Sequence, residues 1–567
     1  AEREIAPLYQ RAHCIIVRPR NAIDSDPDII LDLLGHEDFR KALAAMNIPE
    51  DEADRLAKRS ARSPTILRRC LSHEAISRPP WAADAGTARH LVPLALIGAW
   101  HAGTKSDCEV MSVLAGSSYD DIEKSIAALR HLDDSPLWSA GQYRGVTSKA
   151  DALFAIAGAV IPSDIRNFLF VTELVLSERD PKLDLPEEDR WAASMYGKLR
   201  EHSAALRAGI RETLVILAVH GDDLFRNRLG INVGTEIILL IRRLLKPLTL
   251  EKLLSHDDDL PYYAEAAPDE FLDIIEEDLK ANDPVLFGLL RPVDSGIFGA
   301  DCPRTGLLWA LETLAWKPEN LRRVIPILGR LCTRKIDDNW SSKPEGTLQA
   351  IFRSWMPQTA APLDQRIQAL ELLIRRYPET GWQICAEQFS PHSRIGHYSH
   401  RPSFRSDASG AGQPLAGERS REHYAFIRKC VELALAWPHH DEKTLGDLIE
   451  RLEVLSDEHT AAIWDLVAKW ADTAPGEDAR AALRERIRRF AFTRRGQRRG
   501  LKAATRNHAV EALERLAPAD PVVRHRWLFA AVWVEESLDE IESGDHDYKK
   551  REERIERLTL GDREYGA

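Results

Sequence analysis

Apolar side chains recur at helical spacing through most of this 567-residue chain. Beyond Pro162 they follow an i, i+3, i+4 pattern, which is typical of amphipathic helices that bury one face. The pattern is present at residues 168–176, 189–219, 233–245 and 271–279, and it is clearest over residues 301–387, which include the stretches 348–355 and 367–374. The pattern predicts an all-α region over residues 163–567, arranged as a long HEAT- or TPR-like α-solenoid whose stacked helix pairs contact mainly their neighbours.

Residues 1–80 predict a small helical bundle. Apolar spacing favours four short helices, at residues 29–34, 39–46 and 49–56 and from Pro64 onward. Pro64 suits a first helical turn, because its missing N–H would be unpaired there anyway. A β-branched run at residues 14–17 predicts a short strand before the bundle. We expect so small a bundle to pack on a neighbour.

Residues 86–162 predict a winged helix with a short β-hairpin. Helical patterns at residues 90–100, 106–114 and 119–131 precede two short strand patterns at 136–138 and 143–146, and a further helix follows at 149–159. The third helix carries Asp120, Asp121 and Glu123 in its first turn. Three carboxylates there would repel DNA phosphates, so we expect no duplex DNA binding.

Three helix ends in the solenoid region resemble one another. Trp316-Lys-Pro318, Tyr377-Pro378 and Trp437-Pro438 each close an apolar helix, and their prolines are equally spaced along the chain. This spacing predicts a degenerate repeat in which the aromatic ring fills a groove and proline stops the helix. The alternative is three unrelated helix ends.

A Ser-, Gly- and Pro-rich stretch at residues 402–417 predicts a long, mobile and exposed loop, which is a candidate contact surface. His392, His397 and His400 precede or enter it, with Cys385 upstream, but their spacing matches no zinc-finger pattern. We therefore expect no metal site.

The composition is that of an ordinary soluble protein, with a formal charge of −12 that argues against a dedicated nucleic-acid binder. The seven cysteines are scattered and never spaced as CxxC, which indicates reduced thiols. Without an apolar run long enough for a membrane span or a secretory leader, we expect a cytoplasmic protein with no membrane partner. The chain starts at Ala1 and its first residues look like part of a longer protein.

Residues 58–71 read KRSARSPTILRRCL, and a proline-rich linker and the predicted winged helix follow them. This order resembles the part that follows the nucleotide-binding core in STAND-type NTPases. These signalling relatives of AAA+ proteins include NLR-like immune sensors and bacterial antiviral systems. In that family a Gly-x-Pro motif opens a lid helix whose proline lies against adenine. Pro64 matches the proline, whereas Arg62 and Ser63 depart from the motif. The resemblance covers about residues 10–160.

The resemblance implies that Pro64, Arg62 and Arg68 contact a nucleotide from the lid side, with ATP or ADP as cofactor only where a nucleotide-binding core is attached. The chain itself has no GxxxxGK[ST] loop, and its nearest string, His101-Ala-Gly-Thr-Lys-Ser, lacks the first glycine and the spacing. We expect no cofactor, no metal and no catalytic residue within this chain, so ATP hydrolysis would need a core outside it.

A basic segment at residues 484–506 offers a different function. Its candidate ligand or nucleic-acid contacts are Arg488, Arg489, Arg494, Arg495, Arg498 and Arg499. Arginines with interleaved aromatic residues can bind single-stranded nucleic acid. They can equally pair with the acidic excess of the protein itself.

The resemblance implies the regulatory or sensor region of a STAND-like signalling NTPase, in antiviral defence or stress signalling, that binds a protein ligand through its solenoid. Oligomerisation on activation belongs to the same expectation. The first alternative is a non-enzymatic scaffold or adaptor, and the second is a nucleic-acid sensor that uses residues 484–506.

Overall fold

The computed structural model describes residues 36–71, 78–132, 134–293, 302–390, 399–408, 419–492 and 501–525, together with Gly396, Ala411 and Gly417. The predicted helix at 29–34 and the predicted strand at 14–17 lie outside these residues. The chain divides into two compact units, one of residues 1–376 and 397–414 and the other of residues 377–396 and 415–567. The chain thus leaves the first unit and returns to it once.

The predicted bundle consists, in the described part, of α1 (His36–Ala45), α2 (Glu50–Arg59) and α3 (Pro64–Leu71). Phe39 and Leu43 on α1 pack against Leu56 on α2, and all three are buried. Ala61 and Arg62, which join α2 to α3, have φ of 49° and 60°. The left-handed region is costly for residues with a Cβ, so this turn is held by its surroundings.

The winged helix consists of α4 (Pro80–Ala83), α5 (Ala85–Ile97), β1 (Ala99–His101), α6 (Lys105–Ala115), α7 (Tyr119–Arg130), β2 (Leu137–Ala140) and β3 (Tyr143–Val146). Its antiparallel sheet has the order β1-β3-β2, which makes β3 the central strand. The predicted helix at 90–100 was wrong at its end. Gly98 has φ of 84° and turns the chain, so Trp100 lies in β1 opposite Arg144.

The helical region of the first unit follows as α8 (Lys149–Ala155), α9 (Pro162–Leu176), α10 (Ala204–Leu229), α11 (Val233–Leu245), α12 (Leu250–Ser255), α13 (Leu260–Ala266), α14 (Pro268–Leu279), α15 (Thr305–Ala315), α16 (Pro318–Leu331), α17 (Pro344–Phe352) and α18 (Leu363–Arg376). The predicted helix at 189–219 was wrong, because Glu187–Ala192 is a 3-10 turn and Ser203 caps a new helix. Gly197, with φ of 67°, ends the turn that lies between them.

A close contact fixes the winged helix to α10. Gly209 lies so near the end of α5 that a Cβ there would stand 2.1 Å from the Ile97 carbonyl oxygen. Lys149 Nζ is buried at the same place, where it donates to the Gly209 carbonyl (2.6 Å) and pairs with Glu212 (2.8 Å). Burial lowers the pKa of Lys149, and the Glu212 charge opposes this shift.

A buried ion network holds the start of α13. The Asp259 carboxylate accepts hydrogen bonds from Arg207 and Arg211, at 2.9 Å each, and contacts His256 Nδ1 at 3.2 Å. Burial alone would raise the pKa of Asp259, but the His256 hydrogen bond and the two guanidinium charges hold it well below its usual range. The network positions α13, and the last turn of that helix carries the candidate site.

The described secondary structure of the second unit is helical and consists of α19 (Pro378–Glu387), α20 (Arg419–Leu435), α21 (Glu442–Ile449), α22 (Asp457–Asp472), α23 (Glu477–Phe492), α24 (Ala503–Arg515) and α25 (Pro521–His525), with a 3-10 turn at Leu452–Val454. In the described residues of the whole chain, no strand follows Val146. The predicted all-α fold with one small sheet and a long succession of packed helices is therefore confirmed. None of the described helices is both long and apolar enough to span a membrane.

Candidate functional site

The three residues expected to contact a nucleotide, Pro64, Arg62 and Arg68, differ in their surroundings. Pro64 and Arg68 are exposed at the surface. Arg62 is half-buried, and its guanidinium donates to the carbonyl oxygens of Phe404 (3.0 Å) and Arg405 (3.3 Å). The structure therefore engages Arg62 with a segment that is far from it in the sequence. The expected nucleotide contacts of Pro64, Arg62 and Arg68 stay a prediction.

The other end of α3 is attached to the winged-helix side. Arg69 forms an ion pair with Asp151 on α8 at 2.8 Å, and both side chains are largely buried. Its guanidinium also lies 5.7 Å from the centre of the Trp81 ring. Burial raises the pKa of Asp151, and the Arg69 charge opposes that shift. Helix α3 is thus held at both ends by residues distant in sequence.

The segment that Arg62 contacts, residues 399–408, is called the strap below. It lies on the C-terminal ends of α13 and α15 and belongs, like them, to the first unit. Glu265, the sixth residue of α13, is only 4% exposed. Its carboxylate accepts three successive backbone N–H groups, from Ser403 (2.9 Å), Phe404 (2.6 Å) and Arg405 (2.9 Å). Consecutive amides that converge on one anion form a backbone nest.

Electrostatics at Glu265 are a balance of two opposed effects. Burial raises the pKa of this carboxyl, because the charged form loses its water. The three strap amides lower the pKa, and so does the charge of Arg405. The strap amides therefore replace the hydration that Glu265 gives up.

A second carboxylate anchors the beginning of the strap. Glu312 on α15 accepts the His400 backbone N–H at 2.9 Å, and Trp316 Nε1 donates to the His400 carbonyl oxygen at 2.8 Å. Both backbone groups of His400 are therefore bound. Its ring stacks on Trp309 with 5.3 Å between centroids, and burial lowers the pKa of His400 to about 4. One residue earlier, the Ser399 N–H donates to Gln358 Oε1 at 3.0 Å.

Two strap arginines complete the contacts. The Arg401 guanidinium lies 4.7 Å from the centre of the Trp316 ring, which is a cation–π distance. Arg405 Nε donates to the Glu265 carbonyl oxygen (2.5 Å) and its Nη2 to that of Ala266 (3.3 Å). These are among the last carbonyls of α13, where a cation is favoured. The site therefore binds both the backbone and the positive charges of the strap.

The prediction of an exposed loop is wrong at Pro402 and right at Ser403 and Ser406, which are exposed, whereas the predicted mobility of residues 402–417 stays a prediction. Pro402 is buried, and the backbone amides that follow it are bound to Glu265. Small polar residues indicate backbone outside helices and strands, and the N–H groups of such backbone can satisfy a buried carboxylate. His392 and His397 lie outside the described residues. In the part of the chain that the structure describes, no three metal-ligating side chains come together.

The described part of the basic segment is engaged within the second unit. Arg488 is buried and pairs with Glu485 at 2.8 Å. Arg486 pairs with Asp447 (2.6 Å) and Glu450 (2.8 Å). Arg489 has partners as well. The remaining candidates, Arg494, Arg495, Arg498 and Arg499, lie outside the described residues, so the nucleic-acid prediction stays untested.

The acidic first turn of α7 is partly neutralised by its neighbours. Asp121 pairs with Lys124 at 2.7 Å. Glu123 accepts from the Tyr119 hydroxyl at 2.8 Å and pairs with Arg144 of β3 at 3.3 Å. The absence of duplex DNA binding stays a prediction.

The sequence singled out Trp316 but not its hydrogen bond to the strap, and it did not identify Glu265. The predicted repeat itself stays a prediction. Trp316 is fully buried as predicted for a groove filler, but it binds the strap, whereas Tyr377 and Trp437 are only half-buried. Glu265 stands between alanines in a short helix and carries no local signal. The basic character of the strap, with Arg401 and Arg405, was the one available hint of a carboxylate partner. Comparisons with protein families and with curated proteins found no match for this chain.

Proposed function

We propose that this chain is the regulatory and ligand-sensing region of a STAND-like signalling NTPase, and that the chemistry of nucleotide hydrolysis belongs to a separate core. The proposal starts from the resemblance at residues 58–71. It is supported by the order of the elements, in which a short-helix bundle precedes a winged helix and a long helical region.

One observation carries the proposal: the same helix, α3, is joined to two parts of the molecule. Arg62 at its entrance donates to two strap carbonyls, and Arg69 in its last turn pairs with Asp151 beside the winged helix. A ligand that changes the strap would therefore change the contacts of the helix that the resemblance identifies as a lid. Coupling of this kind requires an element whose position both sites bias.

The scaffold alternative shares the strap site but requires no link to a nucleotide. The nucleic-acid alternative receives less support, because Arg486 and Arg488 are already paired with carboxylates. Nucleotide binding therefore distinguishes the leading proposal from the scaffold.

The experiment is a titration of ATP and ADP against the full-length natural protein and its variants Pro64→Ala, Arg62→Ala and Arg68→Ala. A helix N-terminus and an arginine together contribute a few kcal/mol to anion binding, so losing one contact should weaken affinity about tenfold or more. Alanine is tolerated in the first turn, so Pro64→Ala should leave the helix intact. Equal affinities for all four proteins would refute the proposed lid role.

A further inference from the structure

We propose that the groove beneath the strap is a binding site for a basic, arginine-containing segment of a partner protein, and that the strap is the chain's own occupant of that site. Partner and strap would then compete for the same contacts. The inference rests on the proposed function, since it names the class of ligand that the regulatory region senses.

The groove binds the strap mainly through its backbone. Side chains that surround the strap contact both its N–H groups and its carbonyl oxygens, and the bound strap residues are Ser399, His400, Ser403, Phe404 and Arg405. Every peptide carries these backbone groups. Recognition through main-chain hydrogen bonds with a few side-chain pockets is a recurring way of binding peptides from other chains.

Charge sets the class of peptide. The groove contributes the carboxylates of Glu265 and Glu312 and the guanidinium of Arg62. The strap contributes Arg401 and Arg405, and the Arg401 guanidinium lies over the Trp316 ring. Two carboxylates against one guanidinium leave the groove with an excess of negative charge, which disfavours acidic segments because like charges would face each other there. The expected ligand therefore has two arginines spaced as in Arg401-Pro-Ser-Phe-Arg405, with a proline after the first.

Removing the strap would leave polar groups of the groove without hydrogen-bond partners. Another peptide with the same backbone groups could supply them. Glu265 loses three hydrogen-bond donors and Trp316 Nε1 loses its acceptor. Unmatched buried polar groups are unfavourable, so an emptied groove favours either water or a replacement peptide. Arg62 would lose its two carbonyl acceptors at the same time, which links occupancy of the groove to α3.

The test uses the complete chain with residues 399–408 replaced by a Gly/Ser linker of equal length. A fluorescein-labelled peptide of sequence SHRPSFRSDA, residues 399–408, is titrated against it and followed by fluorescence anisotropy. We expect binding in the micromolar range. Binding to the unmodified chain should be roughly 100-fold weaker or more, because the tethered strap competes at an effective concentration on the order of millimolar.

Two controls define the specificity. A peptide with alanine at the Arg401 and Arg405 positions should bind the linker variant at least tenfold more weakly, and so should the normal peptide when the linker variant also carries Glu265→Gln. A folded linker variant that fails to bind the peptide, or binds the alanine peptide equally well, would overturn the inference.

A second measurement avoids any dependence on the folding of the linker variant. In the unmodified chain, an excess of the free peptide should accelerate hydrogen exchange of the strap amides, whereas unchanged exchange at saturating peptide would contradict competition.

The outcomes also separate this inference from the proposed function. If the peptide does not bind while Pro64→Ala still weakens nucleotide binding, this inference fails and the proposed function stands. Peptide binding combined with unchanged nucleotide affinities would refute the lid role alone.

Discussion

Replacing Glu265 by glutamine should loosen the strap by about 2 kcal/mol, because one buried N–H group loses its acceptor. Glutamine keeps the shape of the side chain, and its carbonyl oxygen can still accept the N–H groups of Phe404 and Arg405, which share one carboxylate oxygen. Its amide group must then face the Ser403 N–H, which donates to the other oxygen. Two donors cannot pair, and an unsatisfied donor costs about 1–3 kcal/mol.

Two further contributions nearly offset each other. Hydrogen bonds to a charged acceptor contribute about 1.5–3 kcal/mol, against about 0.5–1.5 kcal/mol for neutral ones, so the two retained bonds weaken. Burial disfavours the charge of Glu265 and raises its pKa, so removing that charge recovers part of the loss. A net loss of about 2 kcal/mol corresponds to a roughly 30-fold larger opening equilibrium.

Hydrogen exchange with mass spectrometry measures this opening directly at the amides of Ser403, Phe404 and Arg405. Their protection should fall about 30-fold in Glu265→Gln. The matched control is Glu270→Gln, because Glu270 is also a buried carboxylate and accepts two hydrogen bonds, both from Arg242 at 2.7 Å. Unchanged strap protection in Glu265→Gln, or an equal fall in the control, would refute the reasoning.

Three other predictions follow from the packing of the first unit. Lowering the pH from 7 to 5 should weaken strap protection by about 2 kcal/mol, because burial lowers the pKa of His400 to about 4 whereas a released imidazole titrates near 6.5. As the pH falls, His400 is protonated in the released strap before it is protonated in the bound strap. The contribution of neutral His400 to strap binding is therefore lost between about pH 6.5 and about pH 4. A His400→Phe variant with the same pH response would contradict this prediction. Gly209→Ala should lower the melting temperature markedly, since overpacking costs about 1–3 kcal/mol or more, while Gly158→Ala, with nothing within 4 Å, should melt like the parent. Arg69→Met should reduce the free energy of unfolding by about 3 kcal/mol by leaving Asp151 unpaired, and adding Asp151→Asn should recover at least half of it in urea titrations; strictly additive losses would show that the pair does not interact.

The hydrophobic pattern by itself determined the class of the fold and many of its elements. The predicted helix at 233–245 matches α11 at both ends, and Pro64 begins α3 as its position predicted. Helices are encoded by residues three and four apart, so local sequence carries the information that forms them. The hairpin at β2 and β3 was equally local, because a short turn joins its strands.

Only the tertiary structure decided the third strand and the candidate site. The short strand β1 exists because β3 supplies its hydrogen bonds. Two helices and β2 separate these two strands along the chain. Glu265 meets the strap across 138–140 positions of chain, and Arg62 meets Phe404 across 342. The periodicity of the sequence cannot predict such pairs. A buried polar group needs a hydrogen-bond partner, and the folding of the whole first unit decides which groups lie near enough to provide one.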